Sequence, residues 1–547
     1  MAKRDEEFYR RAEAFIERML AEAPTAATHL GDHRYDDRLG RHTREDIARQ
    51  KGLVEEALRE LQDLLPEDLS PEGRIDREVM LGIVKSFLRD FERIRGYERD
   101  PGYYSGECLE GIFALVVRDF APLPERLRSV LGRLREVPRV LEEGKGNIIP
   151  EEVPRVWCEV AIESASQGIA LFTTLIPALA EHAPKIKREL LSASKEAAAA
   201  MEEYVSFLKN EVLPKASGDF AVGKELFEEM LRENHMLDYT ADELYELGWE
   251  LFRETQEEME RVAAGINPDK SAREILEEAK EDHPTAEELL DAYRREMERA
   301  KRFVIERGIV SIPEGERLRL EPTPPFLAPV IPYAAYMPPG PLEAVQEGIF
   351  LVTPVPPDAP EEVKRERLRG HNWAKIPVAA LHEAYPGHHL QLCYANRAGK
   401  LPRKLAGFLS SLFVEGWAFY CEELMERLGF IGEPIQRLGR LSDQLWRAAR
   451  IILDVSLHCR GMSVEEGVEF LVKEAGLERA NALAEVRRYT SSPTQPMSYL
   501  VGKLEILELI DEFKAKKPGA SLRELHDAIL SCGSLPPKLM RTCLLAG

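Results

Sequence analysis

A mainly α-helical chain with one small β-sheet is expected from two features of the residue pattern. Apolar residues recur at helical spacing through most of the 547 positions, whereas the stretch from about Gly308 to Pro360 is rich in proline, aromatic and β-branched residues. The length itself supports a large core and predicts two lobes around a deep cleft.

The helices follow in order. Glu6 to Ala21 is amphipathic, and Pro24-Thr25 breaks it. Leu53 to Leu65, Asp76 to Phe91 and Leu123 to Leu141 repeat the pattern, and Val153 to Leu213 holds further long helices, with Ala197 to Ala200 small enough for close packing. Between the first two helices, Ala27 to Leu39 is an irregular stretch rich in His and Asp. Its spacing fits no metal template, so packing or a loop contact is expected. Pro214 to Gly223 separates an N-terminal helical lobe, 1–215, from a catalytic lobe, 216–547. In the second lobe Thr240 and Glu243 form a capping box before a helix to about Ala264, and Ala286 to Glu306 is another helix. Arg317 to Glu321, Phe326 to Met337 and Gly348 to Thr353 read as short strands, with proline confining them to edges or ends. Such a sheet offers either an edge to an extended substrate or a cover for the core.

Composition narrows the function. Lys and Arg total 74 against 96 Asp and Glu, a balance of −22 that argues against nucleic acid or an anionic membrane as partner. Seven scattered cysteines suit reduced, packed thiols and not a disulfide framework. The first residues lead into a charged helix without an apolar segment, and no apolar run approaches 18 residues, so the expected location is the cytoplasm.

The chemistry concentrates in His382-Glu383-Ala384-Tyr385-Pro386-Gly387-His388-His389-Leu390-Gln391. A zinc site of the His-Glu-x-x-His kind puts two imidazoles on one helical face with a carboxylate beside the first. Here Pro386 occupies the second ligand's usual position. On an unbroken helix His388 would lie about 120° around the axis from His382, and His389 about 10 Å further along it. Neither arrangement lets two rings share one ion at ~2.0–2.1 Å. The helix must therefore be looped out at Pro386-Gly387, giving His-Glu-x-x-x-x-His with His382 and His388 as ligands and Glu383 as general base. A register using His389 stays open, as does a plain helix end bearing surface histidines.

A hydrolytic site needs a third ligand and an open position for water. Glu415 lies in a helical run, Leu409 to Leu424, whose apolar residues imply burial, and a buried carboxylate is rare unless paired or bound to metal. It is either the third ligand or half of an ion pair. Gly416 and Ala418 would let this helix approach the motif helix closely, and Glu422 would support the ligands or face solvent. Further on, Arg450, Asp454 and His458 recur at i+4 spacing, as a stripe facing a wet cleft or as a surface ion-pair ladder. His458 is thus a candidate oxyanion donor and Arg450 a candidate for holding a carboxylate terminus. Tyr489 and Tyr499 are either phenolic oxyanion donors or packing residues. Arg488, Gln495 and His389 complete the candidate substrate-binding set.

The two central motifs, His382 to Gln391 and Glu415-Gly416-Trp417-Ala418-Phe419-Tyr420, resemble those of the bacterial domain-of-unknown-function 885 family. The resemblance extends to Pro24 to Leu39, Arg450 to Met462 and Leu522 to Leu530. It implies a helical bowl and a relationship to the Glu-zincin metallopeptidases, with His382, His388 and Glu415 as zinc ligands and Glu383 as base. The segment Arg488 to Tyr499 departs from the family pattern, with Thr494 and Pro496 where that pattern has glycine and alanine. The expectation is a zinc peptidase acting on peptides or small amides. A zinc hydrolase of other amides or esters and a non-catalytic metal-binding protein are the alternatives, and Glu383 argues against the latter.

Overall fold

Helices dominate the computed structural model, which describes residues 4–323, 331, 333–356 and 359–545. The chain divides into two compact units: Met1–Phe220 with Pro339–Val345, and Ala221–Pro338 with Gln346–Gly547.

The first unit is built from α1 (Asp5–Glu22), α2 (Arg44–Gln62), α3 (Pro71–Arg89), α4 (Gly102–Val117), α5 (Leu123–Asn147), α6 (Arg155–Ala170) and α7 (Lys187–Phe207), with shorter turns between them. Helix α2 starts nine residues before the expected Leu53, because Thr43 Oγ1 accepts the Asp46 amide at 3.1 Å in a capping box. Tyr104, Ile112, Leu127, Leu134, Val137, Val140, Ala161, Leu190 and Met201 form its core. Of the alanine run, Ala197 and Ala198 are buried and Ala199 is exposed.

The His- and Asp-rich stretch wraps Arg133, which has no exposed surface. The guanidinium donates to the carbonyls of Pro24 (3.2 Å), Arg38 (3.0 Å) and Gly111, and to Thr28 Oγ1 (2.6 Å). Thr28 donates in turn to Asp36 at 2.6 Å. His33 sits between Asp36 (2.9 Å) and Glu343 (3.3 Å). Burial opposes charging of this imidazole, but the two carboxylates prevail and raise its pKa to about 9.

The second unit contains α8 (Ala241–Ile266), capped as expected by Thr240 and Glu243, and α9 (Leu289–Glu306). The sheet follows: β1 (Arg317–Pro322), β2 (Ala334–Met337) and β3 (Glu347–Val352) in the order β1-β3-β2, with β1 parallel and β2 antiparallel to β3. The strand expected over Phe326 to Met337 is thus short, and residues 326–330 and 332 of that expectation lie outside the described residues. The remaining elements named below are α10 (Ile376–Glu383), α11 (His388–Ala395), α12 (Leu412–Arg427), α13 (Pro434–Cys459), α14 (Arg479–Tyr489) and α15 (Ser498–Lys516). Among the described residues no helix is long and apolar enough to cross a membrane, and none of the seven cysteines forms a disulfide.

Candidate metal centre

The histidine motif is two short helices joined by a tight turn. Helix α10 makes its last bond from the Ala384 amide to the Ala380 carbonyl (3.0 Å), and Gly387 then turns the chain back to donate to the Leu381 carbonyl at 3.1 Å. The approach is so close that a Cβ on Gly387 would fall 1.8 Å from the His382 carbonyl oxygen, so no larger residue fits there. Trp417 Nε1 of α12 donates to the Pro386 carbonyl at 2.8 Å and ties the turn to that helix. The two added residues are therefore absorbed by a break between helices and not by a bulge inside one.

This turn places His382 and His388 face to edge, with ring centroids 4.7 Å apart. One ligand atom from each, with one from Glu415, lies within 4.8 Å of the others. His388 Nε2 is 3.4 Å from Glu415 Oε2, close to the ~3.3–3.4 Å edge of a tetrahedron with bonds of ~2.0–2.1 Å. Burial would raise the Glu415 carboxyl, but the bond to His388 and the charges of His388, His382 and Arg450 hold it down at about 2. Glu422, 2% exposed, bonds His382 Nδ1 at 2.7 Å and so orients that ring. His388 Nδ1 and Glu422 Oε2 are buried with no hydrogen-bond partner among the described residues. Glu383, the last residue of α10, is half-buried and acts electrostatically on His388 and on Tyr293, whose hydroxyl meets His371 Nδ1 at 3.0 Å.

His389 points elsewhere. It has no exposed surface, its Nε2 meets Glu316 at 2.7 Å and its Nδ1 meets the Tyr336 hydroxyl of β2 at 3.0 Å. The expected substrate contact is thus replaced by an anchor to the sheet. Glu316 also accepts from Tyr385 (2.8 Å) and Lys301, and against the cost of burial these bonds hold its carboxyl at about 2. A cavity of about 480 Å³ opens beside it, lined by Lys301, Arg319, Glu347 and Tyr385 among others and by none of the three candidate ligands.

Helix α12 is positioned from its other side. Gly416 does not face the motif helix as expected: a Cβ there would meet Gly502 of α15 at 2.4 Å, so the glycine pair permits the α12–α15 contact. His526, also fully buried, bonds the Tyr420 hydroxyl (2.9 Å) and the Ile309 carbonyl (2.8 Å) and braces α12.

Arg450, Asp454 and His458 are each at most 4% exposed, so the stripe is not a surface ion-pair ladder. Arg450 and His458 hold α14 through Glu485 and Tyr489, and Asp454 holds the segment that follows it. Asp454 accepts the amides of Thr494 (3.1 Å) and Met497 (3.2 Å), and burial pushes its carboxyl up to about 8. His458 Nε2 meets the Tyr489 carbonyl at 3.0 Å. Thr494 adopts φ 68°, the left-handed conformation that suits the glycine of the family pattern, and its hydroxyl meets His235 at 3.0 Å. Tyr489 is fully buried under Arg450 Nε (2.8 Å) and Trp446 Nε1 (3.3 Å). Tyr499 is half-buried, lies 3.5 Å by its hydroxyl from Gln495 Nε2 and acts electrostatically on Glu415. Gln495 accepts from Arg488 at 2.9 Å.

Glu316, Tyr336, Tyr293 and His371 escaped the sequence reading. The Glu316–His389 pair spans 73 positions, and nothing local to Glu316 marks it. For His371 a signal existed, since a histidine follows the last turn before the motif helix.

The family model described as "Bacterial protein of unknown function (DUF885)" matches residues 24–544. The chain belongs to this family. It is similar over 98% of its length to 99% of a solved chain described as "a putative lipoprotein of unknown function" from Shewanella oneidensis, at 26% identity and TM-score 0.81. The fold is shared with a "putative lipoprotein" from Colwellia psychrerythraea, at 15% identity and TM-score 0.87, over 100% of this chain and 99% of that one. No curated protein matches this member of the family.

Proposed function

We propose that this chain is a zinc-dependent hydrolase of peptide bonds, acting on short peptides, and a distant relative of the Glu-zincin metallopeptidases. The observation that carries the reading is the convergence of His382, His388 and Glu415 within 4.8 Å, with Glu383 beside the first of them in sequence. Two imidazoles and a carboxylate are a donor set that zinc accepts, with a fourth position left for water. When bound, the ion would supply Lewis acidity to that water and to the substrate carbonyl.

The chain's own residues do the rest. Glu383 takes the proton from the attacking water and returns it to the leaving amine. Glu422 engages His382 Nδ1 and leaves Nε2 as that ring's donor. Tyr499 is the oxyanion donor, because Tyr489 is fully buried with its hydroxyl under Arg450 and Trp446, and His458, 1% exposed, is tied by Nε2 to the Tyr489 carbonyl. The restriction to short peptides rests on the Glu-zincin analogy, and the acidic charge of −22 supports a partner that is neither nucleic acid nor membrane. Cytoplasmic location is part of the proposal and rests on the seven cysteines forming no disulfide, while the neighbours described as lipoproteins make cell fractionation the direct test.

Glu383→Gln tests the reading. Wild type is expected to bind one zinc per chain and cleave members of a peptide library, and the variant to bind zinc with kcat lowered about 10³-fold. Wild type that carries stoichiometric zinc, cleaves nothing and matches the variant would sink the peptidase.

A further inference from the structure

Arg450 on α13 is 4% exposed, and its guanidinium is only partly engaged. Nε donates to the Tyr489 hydroxyl (2.8 Å) and Nη2 to Glu485 (3.0 Å), while the rings of Trp446 and Tyr499 flank the group at 4.3 and 4.5 Å. Nη1 is buried and has no hydrogen-bond acceptor among the described residues. Such a donor is expensive to leave unmet, the more so on a charged group.

The local charge is unbalanced in the same direction. Glu485 serves Arg488 (2.9 Å) as well as Arg450. About two turns away on α13, Asp443 serves both Lys375 (2.6 Å) and Arg447 (3.4 Å), and Arg447 Nε is a second buried donor without a hydrogen-bond partner among the described residues. Arg447 and Arg450 lie against the Tyr499 ring, at 5.7 and 4.5 Å. The charge of Arg450 acts on Glu415, and that of Glu415 on Tyr499, so the group adjoins the candidate metal ligands; with Glu415 counted, four cations share three carboxylates. Trp446 and Tyr499, the two rings that flank the guanidinium, are both half-buried.

We propose that Arg450 binds a carboxylate of the substrate, so that the preferred substrates are peptides whose free C-terminal carboxylate lies close to the bond that is cut. The planar fork of arginine matches a carboxylate, and a bound one would satisfy Nη1 and offset the surplus charge. The substrate class rests on the hydrolase reading, whereas the carboxylate site does not.

The probe is 3-phenylpropanoate, which has no amide bond to cleave, titrated calorimetrically against 3-phenylpropanamide. Both are added to the full chain, zinc-loaded and after chelation. The acid is expected to bind at least 10-fold more tightly than the amide in both states. Arg450→Gln is expected to erase that preference and Arg450→Lys to restore part of it. Equal binding of acid and amide by wild type overturns the proposal whether or not the variants fold. So does a preference that vanishes on chelation, which would put the carboxylate on the metal, or one that survives in Arg450→Gln. Preference for the acid without cleavage of any peptide keeps the carboxylate site and sinks the peptidase. Equal cleavage of peptide acids and their C-terminal amides keeps the peptidase and sinks the substrate class proposed here.

Discussion

Residues 27–39 and 382–391 carry similar chemistry on paper, with two histidines and three aspartates in the first and three histidines and a glutamate in the second. Their environments differ. In the first, the donors of Arg133 are met by three carbonyls and Thr28, Thr28 is met by Asp36, and His33 lies between two carboxylates. The network closes on itself and holds an irregular stretch against the core. In the second, His388 Nδ1 and Glu422 Oε2 are buried without hydrogen-bond partners among the described residues, and three ligand atoms converge within 4.8 Å. Richness in His and acid therefore does not by itself mark a metal site. Convergence with leftover bonding capacity is what supports the metal site proposed at His382, His388 and Glu415, because most buried polar groups are satisfied.

The largest effect should separate the adjacent histidines. His388→Ala is expected to weaken zinc binding by about 10³-fold or more, since it removes a ligand from a site whose affinity needs all three. His389→Ala, which strips the Glu316 and Tyr336 contacts, should keep stoichiometric zinc and lose about 2–3 kcal/mol of stability. Metal analysis with chemical denaturation reads both. Zinc lost by the second variant and retained by the first would reverse the register.

How readable these regions were in sequence follows from distance along the chain. His382, Glu383 and His388 fall within seven residues, and the proline and glycine between them announce a break. The capping box at Thr240 was likewise legible, because its two partners lie three residues apart. The same signal at Thr43 was present and overlooked. What faces a side chain was not legible. His389 turns to the sheet because Glu316 and Tyr336 wait 73 and 53 positions upstream. The i+4 stripe on α13 identified one face correctly, but periodicity does not say whether a polar face meets water or a loop with unmet amides. Thr494 shows the same limit: its left-handed backbone persists where the family pattern has glycine because Asp454 and His235 hold it from other helices.

A smaller effect probes the orientation of His382. Glu422→Gln keeps the shape but not the full charge of the group at Nδ1, and zinc affinity is expected to fall about 10–100-fold. Competition against a chromogenic chelator would measure it. An unchanged affinity would mean that the ring is held by packing alone, and the difference between the two His-rich stretches would then rest on His388 and Glu415.

The closed stretch has its own test, and the smallest expected effect. The folded pKa of His33 is about 9, above the 6.5 of an unperturbed imidazole, so its charged form stabilises the fold. That contribution is fully present below about pH 6.5 and is lost as pH rises through about 9. Because the ring keeps some exposure, the change is set at about 2 kcal/mol and not at the full value of the shift. Urea unfolding of wild type and His33→Gln at pH 6 and pH 9.5 isolates it from other groups that titrate in this range. Wild type should be the more stable at pH 6, and the gap should narrow by about 2 kcal/mol at pH 9.5. A gap that does not change with pH would mean that His33 is neutral in the fold. Its two carboxylate contacts would then be ordinary hydrogen bonds, and Arg133 alone would organise residues 27–39.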